Sequence, residues 1–157
     1  MAQNPENTTK NTNLDSETKA YPENSLIIDD DKWTRTLLFR FLKEFKIQSI
    51  ESDNPYTGIS LAVKEKPDII FLDIYLPEIN GDKILKIFKE LDITKDIPVV
   101  MVSGNFSKEL LHDTYTRGAA GFISKPFNSL IVKEMLDKIF KTDEADPIKE
   151  KEWVKEL

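Results

Sequence analysis

Asp68-Ile69-Ile70-Phe71-Leu72-Asp73-Ile74-Tyr75-Leu76-Pro77-Glu78-Ile79-Asn80-Gly81 is the stretch whose reading decides the fold. Within it an apolar run of strand length ends on the carboxylate of Asp73 and breaks at once into a loop carrying Pro77 and Gly81. The pattern places Asp73 at the carboxyl end of a buried strand, the position where open α/β sheets hold their chemistry.

Working outward, the same pattern recurs on both sides. Upstream, Ser25-Leu26-Ile27-Ile28 is a short apolar run that ends in Asp29, Asp30 and Asp31. Consecutive carboxylates at the end of a buried strand repel one another and lose hydration, a poor arrangement unless a cation sits among them. Asp31 can cap the helix that follows, but that leaves Asp29 and Asp30 unexplained. From Lys32 to Phe45, Leu38, Phe41, Leu42 and Phe45 repeat at helical spacing. Residues 47–51 alternate like a half-covered strand, and Asn54-Pro55 opens a helix running to Lys66 with Ile59, Ala62 and Val63 inward.

Downstream, Gly81 to Leu91 reads as a helix through Ile84, Ile87, Phe88 and Leu91. Residues 98–102 form another continuous apolar run, followed by Ser103-Gly104-Asn105. A weaker helix with Leu110, Leu111 and Thr114 as its stripe spans Ser107 to Arg117 and ends at Gly118. Gly121-Phe122-Ile123-Ser124 is the last strand, and Lys125-Pro126 follows it. Asn128 caps a final helix with Val132, Met135, Leu136 and Ile139 inward.

Five strand runs thus alternate with five helical runs, and four of the strands are apolar almost throughout, as parallel strands covered on both faces must be. The fold class expected is α/β: a doubly wound, five-stranded parallel sheet in a three-layer αβα sandwich with right-handed crossovers. Its strand ends present Asp29 and Asp30, Asp73, Ser103 and Lys125 to one crevice. Three carboxylates without His or Cys supply hard oxygen ligands, which select Mg²⁺, with Mn²⁺ as the alternative, over zinc or copper. With an ammonium and a hydroxyl added, the set suits phosphoryl transfer with Asp73 as the attacking group.

The acidic pair, the Asp73 loop with Pro77 and Gly81, Ser103 before a small residue, and Lys125-Pro126 together resemble the receiver domain of two-component response regulators. The resemblance covers about residues 25–140. It implies a flavodoxin-like (βα)5 receiver fold in which Asp73 is the phosphoacceptor and Asp30 and Asp73 bind Mg²⁺ directly. It further implies that the backbone carbonyl of Tyr75 is a third ligand, that Asp29 acts through water, that Ser103 and Lys125 meet phosphoryl oxygens, and that the Lys125-Pro126 bond is cis. The family's switch would couple Ser103 to Phe122 and change the surface of the fourth helix, fifth strand and fifth helix. Phe122 lacks the hydroxyl of the frequent Tyr, so only a steric switch is expected. A bulky Tyr75 is expected to slow loss of the phosphoryl group.

The partners implied are a sensor histidine kinase or histidine phosphotransfer protein as donor, a downstream protein target on the switched face, and a phosphorylation-dependent dimer. The role is that of a signalling phosphoacceptor, not an enzyme acting on external substrates. Two other classes stand beside it. A phosphate-independent, receiver-like binding module usually loses an acidic, hydroxyl or lysine position, and all are present here. An aspartyl-phosphate phosphatase expects a second Asp two residues after the nucleophile, where this chain has Tyr75.

The rest of the chain bounds these readings. At 157 residues without a sustained repeat, one domain is expected. The net charge of −6 argues against nonspecific attraction to nucleic acid or anionic membrane. Zero cysteines exclude disulfides, thiolate metal sites and thiol nucleophiles. With no apolar leader and no bilayer-length apolar segment, a cytoplasmic protein is expected, and Met1 with a polar lead fits a complete small chain. Residues 1–24 read as a disordered tail, either merely solvated or a docking tether, 25–141 as the receiver, and 142–157 as a short tail that can be partly helical through Ile148, Trp153, Val154 and Leu157. That tail is too short for a DNA-binding output domain. The lone His112 is expected on a helix surface, and Trp33 is expected either to pack under a loop or to anchor a partner.

Overall fold

The computed structural model describes residues 21–141 of the chain, so the expectations for 1–20 and 142–157 lie outside the described residues. The elements alternate strictly: β1 (Asn24–Ile28), α1 (Lys32–Glu44), β2 (Gln48–Ser52), α2 (Pro55–Glu65), β3 (Ile69–Asp73), α3 (Gly81–Glu90), β4 (Val99–Ser103), α4 (Lys108–Thr116), β5 (Gly121–Ser124) and α5 (Ser129–Phe140). All four strand pairings are parallel, and the sheet order is β2-β1-β3-β4-β5. β3 therefore lies at the centre, and the order reverses between β1 and β3. In such a sheet the crevice opens outside the strand ends at that reversal.

Local chemistry sets the boundaries. Asp31, Asn54, Ser107 and Asn128 each accept main-chain N–H groups of the next helix's first turn, satisfying donors that have no partner within the helix. Pro55 occupies the first turn of α2, where its missing N–H costs nothing. Gly118, at φ +97°, closes α4 in the left-handed region that side chains other than glycine rarely adopt.

Alternation along the strands divides the core in two. Leu26, Ile28, Ile70, Leu72, Val99 and Met101 face α2 and α3, meeting Ala62, Ile84, Leu85 and Phe88. Ile27, Ile69, Phe71, Val100, Val102 and Ile123 face the other way and meet Leu38 and Leu42 of α1 and Val132 and Leu136 of α5. Each fully buried Leu, Ile or Phe side chain contributes about 1.5–3 kcal/mol relative to exposure. β3 and β4 are buried along their whole length, which makes the platform under Asp73 and Ser103 rigid.

Some expectations need correcting. Leu85, not Leu91, completes the inner face of α3. Leu91 lies one residue beyond the last helical residue, where the backbone turns extended and carries it outward. Residues 21–24, expected in the tail, belong to the fold: Asn24 opens β1, and the Tyr21 hydroxyl donates to Asp137 Oδ1 at 2.6 Å while its ring meets Phe45 edge-on. The aromatic ring and its hydroxyl tie Tyr21 both to Phe45, the residue that caps α1, and to α5.

Candidate functional site

Three strand ends and the residues following them build the site. β1 releases the chain at Ile28, so Asp29 stands beside the end of β3, where Ile28 is in register with Leu72. Asp29 is 1% exposed and Asp73 5%, whereas Asp30 faces solvent. One carboxylate oxygen from each of Asp29, Asp30 and Asp73 can be chosen so that all three lie within 4.8 Å of one another.

Lys125 enters from β5, two strands away. Its main-chain N–H donates to the Ser103 carbonyl at 2.8 Å, pinning the residue that follows β5 to the end of β4. Its amine then reaches Asp29 Oδ2 at 2.8 Å and Asp73 Oδ1 at 3.4 Å. Asp29 is held on its other oxygen too, which accepts the Asp31 N–H at 2.8 Å. The Lys125-Pro126 bond is cis.

The electrostatics follow from this burial. Desolvation raises the Asp29 carboxyl above its ordinary value despite the opposing hydrogen bonds from Lys125 and Asp31. Burial, then the charge of Asp29, raises Asp73 as well. Burial by itself would lower Lys125, but its hydrogen bonds and charge interactions with the two acids outweigh it and raise the amine. A pocket of two desolvated carboxylates with a third beside them favours a further cation. The donor set, oxygen only and all carboxylate, fits a hard divalent ion such as Mg²⁺.

The loop after Asp73 closes tightly beneath it. Gly81 N–H donates to the Ile74 carbonyl at 2.8 Å, and Ile74 and Leu76 are buried while Tyr75 is exposed. A Cβ at Gly81 would lie 2.1 Å from the Asp73 carbonyl oxygen, so only glycine fits. Glu78 turns the loop at φ +68°.

Four of the residues singled out from sequence come together: Lys125 pairs with Asp29 and Asp73, and Asp30 places a carboxylate oxygen within 4.8 Å of theirs. Lys125, expected to await a phosphoryl oxygen, pairs here with the two acids. Ser103 is at the same sheet end but fully buried, and its hydroxyl is engaged with Asn105, donating to the carbonyl at 3.1 Å and accepting the N–H at 3.2 Å. Phe122 is half-buried on β5 and meets Phe106 edge-on, with ring centroids 5.7 Å apart. Trp33 does not pack under a loop: it is 81% exposed, because its position on α1 turns away from the buried Thr34 and Leu38 stripe. His112 is exposed on α4, as expected.

Two contributors escaped the sequence reading. Phe106 carried no signal, since an aromatic residue in a short polar loop has no periodicity to place it. Arg35 donates to the Asp29 carbonyl at 2.8 Å, and an arginine early in an amphipathic helix reads only as its solvated face.

Comparison with known proteins matches this geometry to a family. The response regulator receiver domain model matches residues 25–138. The chemotaxis protein CheY of Listeria monocytogenes is 32% identical over 117 residues, covering 74% of this chain and 97% of that protein. The sporulation initiation phosphotransferase F of Bacillus subtilis is 28% identical over 116 residues, covering 74% and 92%. The solved structure of the chemotaxis protein CheY4 of Vibrio cholerae superposes with a TM-score of 0.71 at 22% identity, covering 74% of this chain and 98% of that one, and shares the fold. With five parallel strands, an acidic pocket at their carboxyl ends and a family match over most of its length, the chain belongs to the response regulator receiver domain family.

Proposed function

We propose that the chain is a phosphorylatable receiver in which Asp73 accepts a phosphoryl group from a histidine kinase or histidine phosphotransfer protein. The observation that carries this reading is the placement of the buried Asp73 carboxylate beside the Lys125 amine, with Asp29 and Asp30 completing an oxygen cluster. An Asp73 oxygen attacks phosphorus in line, the bond from phosphorus to the donor's imidazole nitrogen breaks, and its electron pair stays on that nitrogen. Asp30 and Asp73 would hold Mg²⁺, or Mn²⁺, directly with the Tyr75 carbonyl, and Asp29 through water. When bound, the cation neutralises charge on the transferring group.

This chain's own residues do the remainder. Lys125 exchanges its contact with Asp73 for a phosphoryl oxygen, remaining anchored on Asp29. Ser103 leaves its turn with Asn105 to donate to another phosphoryl oxygen. That motion opens space beside β4, and Phe122 rotates inward, away from Phe106, changing the face formed by α4, β5 and α5. A downstream protein, or a second copy in a phosphorylation-dependent dimer, reads that face. The protein turns over no external substrate and works in the cytoplasm without binding nucleic acid or inserting in a membrane; among the described residues no helix is long and apolar enough to cross one.

The test is intact-mass spectrometry after incubation with a small acyl phosphate, with and without Mg²⁺. A single Mg²⁺-dependent phosphoryl adduct that vanishes in Asp73→Asn is expected. If neither a small donor nor a histidine kinase gives an adduct, the phosphate-independent binding module replaces this reading.

A further inference from the structure

Asp29 is the most constrained residue of the pocket. Its N–H donates to the Ser52 carbonyl of β2 at 3.1 Å, and its two carboxylate oxygens are taken by Asp31 and Lys125. Its carbonyl has left the sheet, since the pairing of β1 with both neighbours ends at Ile28. A main-chain acceptor in a residue this buried needs a donor. Arg35, one turn into α1, supplies it: Nη1 donates to the Asp29 carbonyl at 2.8 Å. The same guanidinium is oriented from the other side by Glu51 of β2, whose carboxylate lies 3.4 Å from Nε. The arginine side chain is only 13% exposed, so the guanidinium end of this bridge from α1 to β2 is sheltered, while the Glu51 carboxylate remains open to water.

The carbonyl that Arg35 holds belongs to the peptide joining Asp29 to Asp30. Asp30 makes no side-chain hydrogen bond among the described residues, so its direction depends on its own main chain. The plane of the preceding peptide is planar and rigid, and fixing its oxygen fixes the nitrogen of Asp30 as well. A lysine could not do the same, because a point ammonium lacks the fork that serves a carbonyl and a carboxylate at once.

We infer that Arg35 is a positioning residue that aims Asp30 into the divalent-cation site by clamping the Asp29-Asp30 peptide, with Glu51 holding the clamp. The inference rests on the reading of the acidic pocket as a cation site. Arg35 is placed to hold the Asp29 carbonyl rather than to ligate the cation, so its removal weakens cation binding by releasing the direction of Asp30 while deleting no carboxylate. Groups acting through a metal ligand typically cost ten- to a hundredfold in affinity when removed.

The experiment is calorimetric titration of the full chain with Mg²⁺, and with Mn²⁺ followed by electron paramagnetic resonance, for wild type, Arg35→Met, Arg35→Lys and Glu51→Gln. Arg35→Met is expected to weaken Mg²⁺ about tenfold or more, Arg35→Lys to restore part of the loss, and Glu51→Gln to lie nearest wild type. At saturating Mg²⁺, phosphoryl adduct formation in Arg35→Met returns toward the wild-type rate, which separates lost affinity from lost chemistry. Circular dichroism checks that each variant folds, and the Arg35→Lys and Glu51→Gln pair carries the test if Arg35→Met does not. Equal affinity in all folded variants overturns the role of Arg35 while leaving the pocket's reading intact. A wild-type chain that binds neither ion overturns both.

Discussion

Lys125 donates to Asp29 Oδ2 at 2.8 Å, and that one contact joins the end of β5 to the end of β1 across the two intervening strands, β3 and β4. Asp29 is all but fully buried, so its charge has little water to face and depends on the amine. The amine also lies 3.4 Å from Asp73, which makes Lys125 the sole cation among the described residues paired with either acid. Removing it leaves two buried carboxylates uncompensated. A Lys125→Met variant is expected to be less stable by roughly 2–3 kcal/mol, below the ~3–5 kcal/mol of a fully buried pair because the lysine is partly solvated. Urea denaturation measures this, and a double variant with Asp29→Asn should recover much of the loss.

The two acids also predict an unusual pH profile. Burial, with the charge of Asp29 added at Asp73, raises both carboxyls above 3.8 in the folded chain. The folded state then binds protons more tightly than the unfolded one, so these groups reduce stability as pH rises from about 3.8 through their raised values. Lys125 shifts in the same sense but in a separate alkaline window: its stabilising contribution is present below 10.5 and lost as pH rises through its raised value. Asp73→Asn should therefore be more stable than wild type at pH 7 without added cation, with the difference closing toward pH 3 to 4. Urea midpoints over a pH series check the sign.

Gly81→Ala tests the close approach under the acceptor. The new methyl would sit 2.1 Å from the Asp73 carbonyl, against backbone that cannot yield without moving Asp73 itself. A loss of about 1–3 kcal/mol is expected, the range for overpacking, together with slower phosphoryl adduct formation. Ala at the more open Gly104, where a Cβ would come no nearer than 4.0 Å to the Lys125 side chain, should leave both nearly unchanged.

Phe122→Ala separates acceptance from output. The half-buried ring and its edge-on contact with Phe106 make a loss of about 1–2 kcal/mol the expected cost. Asp73 should still take up a phosphoryl group, while amide shifts on phosphorylation, read by NMR, should stay near the pocket and no longer reach α4 and α5.

Tyr75 stands two residues beyond Asp73 and is half exposed, and under the proposed function its bulk is expected to hinder the approach of a hydrolytic water. Tyr75→Asn should shorten the lifetime of the phosphorylated protein, followed by mass spectrometry after the donor is removed. An unchanged decay rate would remove Tyr75 from the account.

Elements were legible in the sequence wherever local chemistry sets them. The continuous apolar runs of β3 and β4, the caps Asp31, Asn54 and Asn128, and Gly118 closing α4 are each decided by a few neighbouring residues. The convergence of Asp29, Asp30, Asp73 and Lys125 was legible as well, because parallel strands connected by helices must present their carboxyl ends on one side.

What only the tertiary structure decided is how those residues divide the work. The residue pattern does not say that Asp29 is buried and Asp30 exposed, since adjacent side chains differ in burial only once a sheet and a helix have been laid on one side of them. Nor does it say that Lys125 spends its charge on two acids, that the Ser103 hydroxyl closes on Asn105, that Arg35 turns inward to a carbonyl, or that Trp33 stays in water. Those outcomes depend on distances between residues far apart in the chain, set by packing density and by the need of each buried polar atom for a partner.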